Sequence, residues 1–205
     1  MDQPGRRPYH HGDLKAALLT QAASIVEHQG IEALTLRAVA RAAGVSHAAP
    51  NNHFGDLTGL LSELAALGFS RFGTEVAAAM EAAGDDPRDR MTAMGVAYVG
   101  FARAHSGLFA LMFRSERLDA TRQALRHAID AARQALHDAS RARAPEQSRA
   151  PLEHAAQAVA LWSLVHGFAM LLLDGRLDAT IGALPGQQSA ETLLRAVLAT
   201  TRVGN

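Results

Sequence analysis

Cysteine is absent from the 205 residues of this chain, which removes thiolate nucleophiles, Cys-ligated zinc and disulfides from consideration. Such a composition suits a reducing, cytoplasmic setting. Net charge is absent too: 20 basic residues balance 20 acidic ones, so no overall field attracts a polyanion. Aromatic residues make up only 5%, with one Trp and two Tyr, which makes any aromatic cluster informative. The opening MDQPGRRPYHHGD holds no apolar core of a signal peptide. The longest apolar stretch, Ala155 to Leu173, is interrupted by Gln157, Ser163, His166 and Gly167, which fits a buried helix better than a membrane span. Catalytic signatures are missing as well. There is no Gly-rich phosphate loop, no G-x-S-x-G elbow and no H-E-x-x-H. Asp85-Asp86, Asp174 and Asp178 sit where caps and turns explain them, and His10-His11 has no further ligand at metal-binding spacing. The expectation is no enzyme, no metal and no cofactor.

What the chain has in abundance is Ala and Leu within a 48% hydrophobic composition, so helix is favoured throughout and the fold expected is all-α. The most informative stretch is TLRAVARAAGVSHAAPNNHF, from Thr35 to Phe54. Thr35 suits an N-cap. Leu36, Val39, Ala40 and Ala43 then recur at helical spacing as one apolar face. Gly44 stands where that helix ends in a left-handed residue. Val45 plugs the corner, and Ser46 is placed to cap a second helix running to about His53. Two short helices around a tight Gly turn are a helix-turn-helix, and the second is sized for the major groove. Pro50 falls inside that second helix on this reading, at a modest cost in hydrogen bonding.

From His11 to about Leu67 the chain resembles the TetR family of transcriptional regulators, through a first helix ending at Gly30, then TLRAVARAAGVS, then His53-Phe54-Gly55-Asp56 and a Leu-Leu pair. The resemblance implies a three-helix reading head whose second and third helices meet double-stranded operator DNA. The residues implied are Thr35 and Arg37 on the backbone side and Ser46, His47, Ala48, Asn51, Asn52 and His53 on the reading helix. Asn pairs with adenine in two-pronged fashion, while His and Ser donate to phosphate. The sequence departs from the family at two positions. Asn51 stands where Tyr is common, and Leu57 where Lys is common, and both usual residues contact phosphate. Through residue 66 the head carries five basic against six acidic side chains, so charge adds nothing to the motif.

Residues 1–12 read as a mobile arm whose Arg6-Arg7-Pro8-Tyr9 either reaches a minor groove or is a simple tail. Residues 13–56 form the reading head, with Asp13 placed to cap the first helix. Residues 57–83 form a linking helix bearing Leu60, Leu61, Leu64 and Leu67, and Gly84-Asp85-Asp86-Pro87 marks the boundary to a body over 84–205. The body alternates apolar helical stripes: Met91, Met94, Tyr98, Phe101 and His105; then Leu108 to Phe113; then a helix from about Leu118 to Arg141. A helix from about Pro151 to Leu173 follows that is apolar nearly all round. Such a helix needs cover on both sides, here its own core and a second copy of the chain. Ser189 is placed to cap a last helix.

The segments GLFALMFR and LWSLVHGFAMLLLDG look like the Trp-x-x-x-His-Gly type of TetR C-terminal domain. Trp162 and His166, four apart, share a helical face. With Tyr98, Phe101, His105, Phe109 and Met112 they either line a pocket for a small, mainly apolar effector or form ordinary core. The resemblance thus implies a homodimeric, cytoplasmic repressor released from its operator by a small molecule. The alternative is a helical ligand-binding or interaction protein whose head no longer binds DNA usefully, a reading that rests on Asn51 and Leu57.

Overall fold

The computed structural model describes residues 11–142, 150–186 and 188–200, and among them the only regular elements are helices. Arg6 to Tyr9 and residues 143–149 lie outside the described residues. The first helix, α1 (His11–Gln29), begins two residues before Asp13 and buries Leu18, Ala22, Ile25 and Val26. A single 3-10 turn at Ile31–Ala33 leads to α2 (Leu36–Ala42) and α3 (Ala49–Phe54). Thr35 caps α2 as expected, its Oγ1 accepting the Ala38 N–H at 3.0 Å. The turn after α2 closes with two backbone bonds, Val45 N–H to the Ala40 carbonyl at 3.0 Å and Gly44 N–H to the Arg41 carbonyl at 3.2 Å. This pairing satisfies the last carbonyls of α2 and needs a left-handed residue. Gly44, at φ +67°, supplies it.

The second helix of the motif is shorter than the sequence suggests. Ser46 to Ala48 form a turn, and α3 starts at Ala49 with Ala48 at its cap position and no side-chain cap bond. Pro50 therefore sits in the first turn, where its missing N–H would have had no partner in any case, so the expected cost does not arise. Its ring is buried, as is Phe54.

Asp56 then caps α4 (Leu57–Ala82), its Oδ1 accepting the Gly59 N–H at 2.7 Å. This long helix runs through the centre of the molecule, burying Leu60, Leu61, Leu64, Ala65, Phe69, Phe72 and Val76. Next come α5 (Pro87–Ala104), capped by Asp86, and α6 (Ser106–Met112). The helix expected from Leu118 is delayed: α7 spans Gln123–Ala142. Asp119 Oδ1 accepts both the N–H (2.9 Å) and the hydroxyl (2.6 Å) of Thr121, and this local turn competes with helix initiation. The apolar α8 (Pro151–Leu173) follows, then a one-turn α9 (Asp178–Gly182), and finally α10 (Ala190–Thr200). Ser189 Oγ accepts the Thr192 N–H at 3.1 Å, so α10 has the cap its sequence predicts.

One apolar core runs without a break from Leu18 on α1 to Leu194 on α10. Against it α8 buries Leu161, Val165, Phe168 and Ala169, while Leu152, Val159, Trp162, Met170 and Leu171 on its other sides stay 41–79% exposed. By length and composition α8 is apolar enough to cross a membrane. One whole face is packed on α5 and α7, however, as in the core helix of a folded domain.

The first helix is tied to the later ones at α6. Glu27, near the end of α1, accepts the N–H of Gly107 and of Leu108, each at 3.0 Å. These donors belong to the first turn of α6, where no intrahelical acceptor exists and a negative charge is favoured. Glu27→Ala should lower unfolding free energy by about 1–3 kcal/mol, the range for stranding buried donors. Glu81→Ala on the exposed end of α4 should stay within roughly 0.5 kcal/mol of wild type. Urea denaturation of both variants measures the difference.

Candidate nucleic-acid interface and ligand cavity

Burying Pro50 and Phe54 turns the rest of α3 outward. Ser46, His47, Ala48, Asn51 and Asn52 are exposed, and His53 is half-buried beside Phe54. Thr35 and Arg37, at the start of α2, are exposed as well. Thr35 has its hydroxyl committed to the α2 cap. Arg41 on the last turn of α2 is a further exposed cation, whereas Lys15 is held at 2.9 Å by Glu63 across α1 and α4. Leu57, the first residue of α4, is 38% exposed, an uncharged side chain at a helix N-terminus. The surface thus offers amide and imidazole groups suited to base edges, with sparse charge for phosphates.

The second feature is in the body. A cavity of about 350 Å³ is lined by Phe69 and Phe72 of α4, Met91, Met94 and Tyr98 of α5, Met112 and Phe113 at the end of α6, and Trp162 of α8, among others. It adjoins a wider, open cleft of about 1240 Å³ between α4, α5 and α7, sharing Phe69, Phe72, Met91, Met94 and Ala132 with it. Arg133, at the cavity edge, is paired with Asp130 at 3.2 Å. An apolar enclosure with few polar groups suits a mainly apolar guest.

Of the side chains singled out in the sequence, Tyr98, Met112 and Trp162 line this cavity. Phe101 and Phe109, each 1% exposed, lie behind it in the core. His105 stacks on Phe101 at 4.9 Å and faces Glu75 at 3.7 Å, away from the lining. His166 backs the wall. Its ring lies 4.6 Å from Phe113, and its Nδ1 is 2.8 Å from the Tyr98 hydroxyl. The α4 and α7 contributions, Phe69, Phe72, Ile129 and Leu136, are invisible to sequence reasoning as lining, because their helical spacing is that of any core stripe.

Burial explains the state of the Tyr98–His166 pair. It raises the Tyr98 pKa above the ordinary phenol value, so the hydroxyl stays a donor. It lowers the His166 pKa below the ordinary imidazole value, which favours a neutral ring whose Nδ1 suits the Tyr98 hydroxyl as acceptor.

An outward-facing α3 after a tight glycine turn, with an apolar cavity among the later helices, defines a helix-turn-helix protein. Residues 18–64 match the family profile described as bacterial regulatory proteins, tetR family, and residues 91–197 match the tetracyclin repressor-like C-terminal domain. A solved protein of unknown function from a Rhodococcus species is 34% identical over 95% of this chain and 96% of its own, with a TM-score of 0.79. Two more distant structures share the fold. The TetR family transcriptional regulator PfmR from Thermus thermophilus is 20% identical over 89% of this chain and 94% of its own, with a TM-score of 0.60. AibR, solved with isovaleryl coenzyme A and operator DNA, is 14% identical over 91% and 97%, with a TM-score of 0.62. Among curated proteins none matches the sequence. The chain belongs to the TetR family, whose members are transcriptional regulators rather than enzymes.

The Tyr98–His166 pair has a consequence for stability. The unfolded imidazole takes its proton near pH 6.5 and the folded one only at lower pH. The unfolded state therefore binds more protons in that window, and the contribution, complete above about pH 6.5, is lost as pH falls through the folded-state value. Melting temperature should fall more steeply between pH 8 and pH 5.5 in wild type than in His166→Gln. Parallel curves would contradict this.

Proposed function

We propose that this chain binds operator DNA as a homodimer, represses transcription there, and is released when a small, mainly apolar molecule occupies the body. The observation that carries the reading is the division of α3, with Pro50 and Phe54 buried and Asn51 and Asn52 exposed on a face that no other described residue covers. Residues 13–56 act as the reading head, 57–83 as the link and 84–205 as the effector and dimerisation body. On this reading Thr35, Arg37, Ser46, His47 and His53 contact the backbone, and Asn51 and Asn52 reach bases. Such a protein works where the DNA is, in the cytoplasm of a bacterium.

Dimerisation finds support in α8. Its exposed stripe of Leu152, Val159 and Met170 is interspersed with small Ala156, Ser163 and Gly167, which let a second helix approach closely. Paired about a two-fold axis, α8 and α10 from each subunit form a four-helix contact. Val159→Glu should convert a dimer to a monomer in sedimentation equilibrium at micromolar concentration. A wild-type monomer there removes the dimer from the reading.

DNA binding is tested by salt titration on the chain's own upstream region and a scrambled duplex. Leu57→Lys places one cation per subunit at a phosphate-facing helix start, so two new contacts per dimer should steepen log K against log salt by about 1.8 units, at roughly 0.9 each. Asn52→Ala should leave the slope unchanged and lower discrimination at one position by about 1–3 kcal/mol. Absence of wild-type binding at low salt would instead favour a helical ligand-binding or interaction protein.

A further inference from the structure

The guanidinium of Arg122, in the turn just ahead of α7, donates from Nη2 to the carbonyl of Phe54, the last residue of the reading helix, at 2.8 Å. The bond joins parts of the chain 68 residues apart. It meets the end of α3 where carbonyls lack intrahelical partners and a cation is favoured. Arg122 is held for this purpose by weaker contacts, Glu63 Oε1 at 3.9 Å and Asp119 Oδ2 at 3.7 Å, and its buried Nε has no hydrogen-bond partner. The turn that carries it is stitched to α4 by a second bond, since the buried Ser62 hydroxyl accepts the Asp119 N–H at 2.8 Å. Gly59 makes the passage possible: a Cβ there would collide with both the Phe54 carbonyl and the Arg122 guanidinium.

The helix that begins immediately after Arg122 is a wall of the body's cleft. Along it Ala124, Ala128, Ala131, Ala132, Ala135 and Ala139 face the open volume, so α7 meets α4 and α5 through small side chains with space between. Arg122, immediately ahead of the N-terminal end of α7, holds the carbonyl of Phe54. We infer that Arg122 is a positioning residue: it transmits occupancy of the cleft to the reading helix directly through α7. This inference rests on the regulatory reading above and assigns its mechanical link.

The test needs neither effector nor operator. Ala132→Phe fills the cleft with a permanent guest, and Ala128→Leu is the milder version should the larger side chain impair folding. Hydrogen exchange is followed by mass spectrometry in wild type, Arg122→Gln, Arg122→Lys, Ala132→Phe and the Arg122→Gln/Ala132→Phe double variant. Arg122→Gln should speed exchange of the amides over residues 52–60 by roughly tenfold to a hundredfold, the effect of losing one hydrogen bond to a charged group, with α10 unaffected. Ala132→Phe should accelerate the same segment, the double variant should exchange no faster than the faster single one, and Arg122→Lys should recover part of the protection. The inference is overturned if Arg122→Gln leaves the segment unchanged or speeds exchange everywhere alike, if the filled cleft does not reach residues 52–60, or if the two effects add on a logarithmic scale. The same proteins titrated with duplex separate the two readings. The exchange pattern without DNA binding sinks the regulator and leaves the coupling standing. DNA binding with additive exchange effects does the reverse.

Discussion

Burial of one face of α4 is the constraint on which the other elements depend. Eleven of its 26 residues are buried, and each Leu or Phe among them contributes about 1.5–3 kcal/mol relative to exposure. The helix packs against α1, α3, α5, α6 and α7. The elements around α4 therefore share one core, and the apolar cluster is continuous from α1 to α10. Both the short α3, with six residues, and the turn bonded at Ser62 rest on this helix.

Polar contacts then set the geometry that apolar packing leaves free. Glu27 on the first turn of α6, Lys15 on Glu63, and Arg122 on the Phe54 carbonyl each join elements distant in sequence. Arg117 and Glu32 add an exposed pair, of the kind worth little on its own. The first three are partly buried and directional, so they fix how the N-terminal helices sit on the later ones.

The body solves two packing problems with one helix. The inner face of α8 closes the aromatic cluster of Tyr98, Phe109, Phe113 and His166, while its outer face remains apolar and open. Trp162 lies between these two surfaces, 42% exposed and on the cavity lining. Cavity and unpaired face thus adjoin, so a guest beside Trp162 and a partner on α8 would act on one helix.

Local rules were enough to identify the motif from sequence. Thr35, Gly44, Asp56 and Ser189 do what their side chains or backbone freedom require within four residues of themselves. The two-sided apolarity of α8 needed only its composition. Helix starts were less legible: α3 begins late because Pro50 favours a first turn, and α7 begins late because the Asp119 carboxylate captures Thr121. What only the tertiary structure decided is which apolar residues bound empty space. Tyr98 and Phe101 carry the same helical signature, yet one lines the cavity and the other lies behind it, since a void is defined by what the neighbouring helices fail to fill. Arg122 was equally illegible, because its partner is a backbone carbonyl 68 residues away, and backbone atoms are the same at every position of the sequence.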